Sequence, residues 1–274
     1  MIPQRKGTRP RPALLWAALL GFAVFGVAVF PSAAAGQATP ADPPPTVQVE
    51  LEAGPVWQSY NDAEIPNDGT ATRFSLFDLA GAGPWAGARL YLTWNVGERH
   101  GLRLLLAPFS LTETGVPEGE VRFQDATFEG GVPTQARYTF NSYRLSYRYR
   151  LRDGVSTTAW VGFTAKVRDA VISLQQDGAS GTVRGRKDDL GFVPLLHIAG
   201  EWRFAEGWRL ALDADALAGG PGRAVDAALA LGYEVNDRWR VRAGYRTVEG
   251  GADVTDVYTF AWLHSAVLGV EWRR

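Results

Sequence analysis

The sequence predicts an all-β protein, an antiparallel transmembrane β-barrel of about ten strands, within a range of about eight to twelve. Three observations carry this prediction. The N-terminus has the pattern of an export signal, the following chain alternates apolar and polar residues with a period of two, and the links between these segments alternate between short and long.

The export signal is predicted at residues 1–35. Residues 1–12 carry four basic side chains and no acidic one, residues 13–30 are apolar, and residues 32–35 are small, which predicts signal-peptidase cleavage after Ala35. The alternative is a membrane-anchoring helix, since about 18 apolar residues are just enough to span a bilayer. The chain contains no Cys, which excludes a lipid-anchored lipoprotein.

The composition restricts the class further. An exported chain without Cys has no disulfide framework, so a packed core or the bilayer has to stabilise it. Without the four basic residues of the export signal, 24 basic residues stand against 29 acidic ones, a net charge of about −5. This balance gives no indication of a nucleic-acid partner, and no pattern predicts a cofactor or a bound metal.

The strands follow a Pro-rich periplasmic leader at residues 36–46 and belong to one barrel domain at residues 47–272. Each segment reaches the length of about nine to eleven residues that a tilted spanning strand needs. The predicted strands are residues 47–60, 86–98, 101–114, 136–151, 156–170, 191–204, 207–218, 223–235, 238–249 and 257–272.

The links between these strands alternate in length. The links after the second, fourth, sixth and eighth strands are short turns, whereas long polar links occupy residues 61–85, 115–134 and 171–190. Transmembrane barrels show this alternation, with short turns on the periplasmic side and long loops on the outer side. The last two outer links, at residues 219–222 and 249–256, fit it only partly.

The two faces of each strand differ in polarity. In the fourth predicted strand, Tyr143, Leu145 and Tyr147 share one face, while Arg144 and Arg148 share the other. We expect the apolar face to contact lipid and the charged face to line a narrow lumen, because a barrel of about ten strands encloses little more than its own side chains.

The inward-facing charges define a predicted lumen network, in which basic and acidic strands meet across the interior. Its members are Arg144, Arg148, Arg150, Lys166, Arg168, Glu201, Asp213, Asp215, Asp226, Glu234, Arg240, Arg242 and Arg246, with Arg89, Arg103, Arg203, Arg209 and Glu271 on the same face. Charges in a narrow interior have to be paired, so we expect a filled lumen. A narrow solute path between opposed charges is the alternative.

Tryptophan residues gather at the predicted strand ends. Five lie near periplasmic turns or the C-terminus and three lie toward the outer ends, namely Trp94, Trp202, Trp208, Trp239 and Trp272, and Trp57, Trp85 and Trp262. This placement predicts two aromatic belts at the membrane interfaces, with ordinary core packing as the alternative.

With these features the chain resembles bacterial outer-membrane β-barrel proteins of small to medium size. The resemblance covers residues 47–272. The C-terminal strand at residues 264–272 is similar to the signal that such proteins present to the barrel-assembly machinery, although Arg273 and Arg274 follow its terminal aromatic residue. The resemblance implies an outer-membrane location, with outer-membrane lipid, lipopolysaccharide and the barrel-assembly machinery as partners.

We expect a structural or surface-interacting role, with a narrow passive channel or a hydrolase as alternatives. A protease or a lipid-A-modifying barrel needs His and acidic groups together near the outer rim. The candidates for such chemistry are His197, Asp213 and Asp215. Asp213 and Asp215 share a face, but no Asp-x-His pair accompanies them.

The long outer loops offer a surface for partners. The first loop contains four acidic residues without the fixed spacing of a calcium loop, Asp62, Glu64, Asp68 and Asp78, so we expect solvated acids. In the third loop, Arg184, Arg186 and Lys187 are candidates for contact with lipopolysaccharide phosphates.

Overall fold

A computed structural model of the chain describes residues 45–178 and 181–274. The predicted export signal at residues 1–35, and the predicted leader except for its last two residues, lie outside the described residues. In the part of the chain that is described, no helix is long and apolar enough to cross a membrane.

Nearly all of the described chain is antiparallel β-structure. Twelve strands form one sheet that closes on itself, and two short strands form a separate sheet. The elements are β1 (Val47–Glu64), β2 (Phe74–Ser75), α1 (Leu76–Ala80), β3 (Trp85–Val96), β4 (His100–Ala107), β5 (Ser110–Gly115), β6 (Val121–Phe123), β7 (Ala126–Phe128), β8 (Thr134–Asp153), β9 (Thr157–Gly178), β10 (Gly181–Ala205), β11 (Trp208–Gly219), β12 (Gly222–Glu234), β13 (Trp239–Val254) and β14 (Val257–Arg273).

Ten spanning strands make up the barrel wall. β4 and β5 pair with different parts of β8 and so form two halves of one strand, and β2 only adds two residues to the outer part of β1. The twelve strands therefore reduce to ten, in the ring order β1, β3, β4 with β5, then β8 to β14. β14 pairs with β1 from Arg273↔Gln48 to Tyr258↔Glu64, which closes the ring. The predicted fold class is confirmed.

The largest difference from the predicted strands lies in the third outer link. Residues 171–190, predicted as a long polar loop, instead continue β9 to Gly178 and begin β10 at Gly181. The loop prediction was wrong because every second residue of this stretch of β9 faces inward, where Ile172 and Leu174 are buried in an apolar core.

Buried and exposed residues alternate along the strands, with charged side chains buried and apolar side chains exposed, as in a membrane barrel. In β8, Arg144 is 3% exposed, whereas the neighbouring Leu145 is 53% exposed. The same inversion places Phe163 of β9 and Leu268 of β14 on the outside, at 67% and 64% exposure. Large apolar side chains thus cover the outer surface and charged ones the interior, which suits a surrounding of lipid.

Candidate functional site: the barrel lumen

Ion pairs cross the lumen at its middle level. Arg144 of β8 contacts Asp215 of β11 at 2.8 Å and Asp226 of β12 at 2.6 Å. Arg103 of β4 contacts Asp213 of β11 at 2.5 Å. β4 and β11 are four positions apart in the ring of ten, so these side chains come from nearly opposite walls. Paired side chains therefore occupy the cross-section at this level.

Asp226 is the centre of this middle layer. Besides Arg144, it accepts hydrogen bonds from Arg89 at 2.8 Å and from Arg246 at 2.6 Å. Arg246 also donates to Glu52 of β1 at 3.0 Å. Three guanidinium groups satisfy the oxygens of this buried carboxylate, and Asp215 and Glu52 supply further negative charge to the same Arg residues.

Two acidic members of the network are absent from the predicted set. Glu50 and Glu52 face inward from β1, and both contact Arg242, with 2.5 Å between Arg242 and Glu52. A signal for them was present, because both alternate with Val49 and Leu51 in the first strand and so share the charged parity.

A second layer of ion pairs lies toward the periplasmic end. Arg240 contacts Glu201 at 3.0 Å, and Arg209 contacts Glu234 at 2.7 Å. Arg273 donates to the same Glu234 at 2.9 Å. The basic residue after the terminal Trp is therefore part of the interior network.

Four predicted members lie in the barrel without joining these cross-lumen pairs. Arg150 contacts Asp153 of its own strand at 2.8 Å, and Arg168 contacts Asp189. The guanidinium of Arg148 lies over the ring of Trp160, at 4.7 Å from its centroid. Lys166, like Arg148, has no carboxylate within 4.0 Å among the described residues. Of the two other predicted residues on this face, Glu271 contacts Arg240 at 3.5 Å and Arg203 is exposed.

An apolar plug, formed by α1 and the β6–β7 hairpin, occupies part of the outer half of the lumen. Leu76 of α1 and Phe123 and Phe128 of the hairpin are fully buried, at 0% exposure. They pack against inward-facing apolar side chains of the wall, including Tyr138 and Leu263. Sequence reasoning treated these segments as polar surface loops, because the buried residues are spaced irregularly between Gly, acidic and Pro residues.

A glycine in the wall allows the plug to dock. A Cβ atom at Gly115 of β5 would lie 2.1 Å from the carbonyl oxygen of Leu79 in α1. We expect Gly115→Val to displace α1 at a cost of about 1–3 kcal/mol, which increases hydrogen exchange at the α1 amides. Gly119→Val is the matched control, since no atom lies within 4 Å of a Cβ there. Unchanged exchange in the Gly115 variant would contradict this docking.

The aromatic residues divide between the lipid face and the interior. Trp94, Trp208 and Trp239 are outward-facing near the periplasmic turns, at 54%, 39% and 45% exposure. Trp202 and Trp272 have the same outward parity at that end of the barrel. This end therefore has the geometry of an aromatic belt.

Trp85 does not belong to the predicted outer aromatic belt. It shares the inward parity of Arg89 and Tyr91, packs against the core around the plug, and donates its indole N–H to Glu113 at 2.8 Å. The assignment of Trp85 to the outer belt was wrong, because the parity of β3 turns this side chain toward the lumen.

His264 lies on the lipid-facing side, midway along β14. Its two ring nitrogens share hydrogen bonds with the Ser59 hydroxyl at 2.8 Å and the Tyr245 hydroxyl at 2.5 Å. The rings of Trp57 and Trp262 flank it, with centroids at 5.9 and 5.3 Å. Because both nitrogens have partners, a neutral imidazole can lie at this depth without an unsatisfied polar atom.

The predicted catalytic candidates belong to the interior network. His197 Nδ1 and the Asp215 carboxylate are 2.8 Å apart, and the Thr164 hydroxyl donates to the same carboxylate oxygen at 2.8 Å. Asp213 pairs with Arg103 instead. His197 is 1% exposed, and its Nε2 has no hydrogen-bond partner within the described ranges. A general base has to reach a substrate proton, so this geometry gives the hydrolase alternative no support.

The charged loop residues that were singled out in the sequence separate in the structure. Glu64 pairs with Arg73 at 2.9 Å. The hydroxyl and the backbone N–H of Thr70 donate to Asp68, which lowers the pKa of that carboxyl. In residues 45–178 and 181–274, no three potential metal ligands cluster.

The basic residues of the third link do not share one surface either. Arg184 and Arg186 project outward from β10, where Arg186 pairs with Asp188 at 2.6 Å. Lys187 has the opposite parity and lines a cavity inside the barrel. The predicted trio was wrong as one contact surface, because the segment is a strand and adjacent residues point to opposite faces.

Comparisons with known proteins give only weak likenesses. No protein-family model and no curated protein matches the chain. Among solved structures, the toluene transporter TodX of Pseudomonas putida is 11% identical, covers 87% of this chain and 90% of its own, and has a TM-score of 0.34. A FadL homologue of Pseudomonas aeruginosa is 10% identical over 87% and 95% of the two chains, with a TM-score of 0.35. Neisserial surface protein A is 11% identical over 84% and 97%, with a TM-score of 0.30. These are outer-membrane β-barrel proteins, but TM-scores this low carry no argument about the role of this chain.

Proposed function

We propose that the protein is an integral outer-membrane barrel with a closed lumen, which acts at the membrane surface through its outer end and does not serve as a passive channel. The observation that carries this proposal is the presence of two closures in series. The Arg103–Asp213 and Arg144–Asp226 pairs cross the middle of the lumen, and the apolar plug narrows the part above them.

The surface role follows from what remains accessible. The β9–β10 hairpin extends the wall beyond the neighbouring β11–β12 turn, and it presents exposed polar side chains such as Arg186 and Asp188. The location in the outer membrane is supported by the apolar outer surface and by the predicted export signal.

The test of the closed lumen is conductance in a planar phospholipid bilayer. We expect the inserted wild-type protein to give no discrete current steps, because ions would have to cross both the paired charges and the apolar plug. Reproducible unitary steps at low voltage would refute the closed lumen and favour the narrow-channel alternative.

Insertion has to be established on the same sample. A folded barrel in detergent should migrate at a different apparent mass before and after boiling, and the native protein should fractionate with the outer membrane. Identical migration together with recovery in a soluble fraction would count against the membrane assignment itself.

A further inference from the structure

A cavity of about 400 Å³, here called the rim cavity, lies in the outer half of the barrel beside the plug. Its walls come from the inner faces of β8, β9, β10, β13 and β14 and from the β11–β12 turn. Apolar side chains such as Tyr138, Phe140, Ile172 and Val257 form much of its surface. Its volume lies in the range of small-molecule sites, which is about 300–1,000 Å³.

The charge of the rim cavity is unbalanced. Four cations but a single carboxylate line it: Lys166, Arg168, Lys187, Arg223 and Asp189. Asp189 pairs with Arg168, and Arg223 has a carboxylate partner of its own. The described chain therefore offers Lys166 and Lys187 no carboxylate within 4.0 Å. The cavity wall therefore carries unpaired positive charge, which an anionic ligand would neutralise.

Lys166 is a buried cation of this cavity without a carboxylate partner. It is 4% exposed, its ammonium lies 4.8 Å from the centroid of the Phe140 ring, and it makes no hydrogen bond to an acceptor of the described residues. A buried ammonium without a counter-ion is costly, because the low-dielectric surroundings replace its hydration. A bound anionic group would remove that cost, and Lys187 lines the same cavity.

The barrel wall is open beside this cavity. β10 pairs with β9 along its length, but it pairs with β11 only from Leu196 to Ala205. β11 ends at Gly219, so residues 181–195 of β10 have no ladder partner on that side within the described chain. Pro194, which has no N–H to donate, lies where the ladder stops.

This gap, the rim notch, connects the cavity with the lipid-facing surface. Phe192, Val193 and Pro194 on one side and Leu217 and Gly219 on the other all line the cavity. Beside the notch, the wall carries large apolar side chains toward the outside, with Phe192 68% exposed. An apolar group in the notch would therefore contact the outer leaflet, while a charged group would lie inside.

We infer that the rim cavity binds an amphiphile with a compact anionic head. The head group contacts Lys166, which lies beside Val193 in the β9–β10 ladder, and the apolar part extends through the rim notch toward the membrane. This inference adds a ligand site to the surface barrel proposed above and does not require transport through the closed lumen.

The test is equilibrium dialysis of radiolabelled decanoate against the barrel in phosphatidylcholine nanodiscs, with binding to protein-free nanodiscs subtracted. We expect saturable binding of decanoate, and much weaker binding of 1-decanol, which lacks the charge, and of acetate, which lacks the chain. No saturable binding of decanoate, or equal binding of 1-decanol, would overturn the inference.

Variants locate the binding. Lys166→Met should weaken decanoate binding about tenfold or more, since a charge-assisted contact is lost. Arg148→Met is the matched control, because Arg148 is also a buried lumenal cation without a carboxylate partner but does not line the rim cavity. Unchanged binding in Lys166→Met, with the gel shift showing that it is folded, would overturn the assignment. Lys187→Met should have a much smaller effect, because Lys187 lies six residues, about 20 Å, farther along the β9–β10 ladder than the level of Lys166.

A bilayer lipid could supply the same head-group chemistry as a free amphiphile. Dialysis in nanodiscs that contain phosphatidylglycerol separates the two sources. Loss of decanoate binding in wild-type protein would identify an anionic membrane lipid as the occupant, whereas retained binding would identify a single-chain amphiphile. Both results support an anion site, and the dependence on Lys166 has to hold in either case.

Discussion

Arg144→Met should destabilise the barrel by about 3–5 kcal/mol, because among the described residues it removes the only guanidinium that contacts the buried Asp215 and one of the three that contact Asp226. Arg144 is 3% exposed and is the residue that joins Asp215 and Asp226. Met fills much of the same volume, so the loss is mainly electrostatic. The measurement is the free energy of unfolding in guanidinium, with the protein in phospholipid vesicles.

Two further variants show whether the loss arises from the unpaired charge. Arg137→Met, an exposed position on the same strand, should change the free energy of unfolding by about 0.5 kcal/mol or less. Adding Asp215→Asn to Arg144→Met should recover part of the stability, because Asn removes the orphaned charge and can keep contacts with Thr164 and His197. If Arg144→Met is as stable as wild type, the cross-lumen pairing does not hold the barrel together.

Leu145→Arg should destabilise the barrel by about 2–4 kcal/mol in a bilayer, since it places a charge on the lipid face near mid-membrane. Leu145 is 53% exposed and lies between Leu104 of β4 and Ala165 of β9 in the ladder. In a water-soluble barrel the same exposed position would tolerate Arg with little change. The effect therefore reports directly on the medium that surrounds the wall.

Leu151→Arg is the matched control for depth. Leu151 is on the same strand and the same face, at 60% exposure, but lies near the periplasmic end. Its substitution should cost about 0–1 kcal/mol, because Arg can reach the interface there. Unfolding in vesicles of one lipid composition compares the two variants. Equal and small effects at both positions would contradict a lipid-facing wall.

The strands and their two faces could be predicted from the sequence because both are local properties. In β8, the alternation of Tyr143, Leu145 and Tyr147 with Arg144 and Arg148 assigns each side chain to a face, whatever its neighbours are. The same alternation places Glu50 on the inner face. Residues 171–190 were not assigned to faces because they were predicted to form a loop.

Which charges meet was decided only by the tertiary structure. Arg144 and Asp226 are 82 residues apart in the chain, and their contact depends on the register of every strand between them and on the width of the closed ring. The same holds for Lys166, which the sequence placed in the paired network and the fold leaves without a carboxylate beside the rim cavity.

The sequence by itself predicted a barrel with a charged interior and an apolar exterior, because two-faced strands follow an export-signal pattern and are joined by alternately short and long links. The tertiary structure alone decided which charges pair across the lumen, that α1 and the β6–β7 hairpin enter its outer half, and that the wall is notched at β10. These features depend on contacts between residues that are far apart in the chain. A local sequence pattern therefore does not predict them.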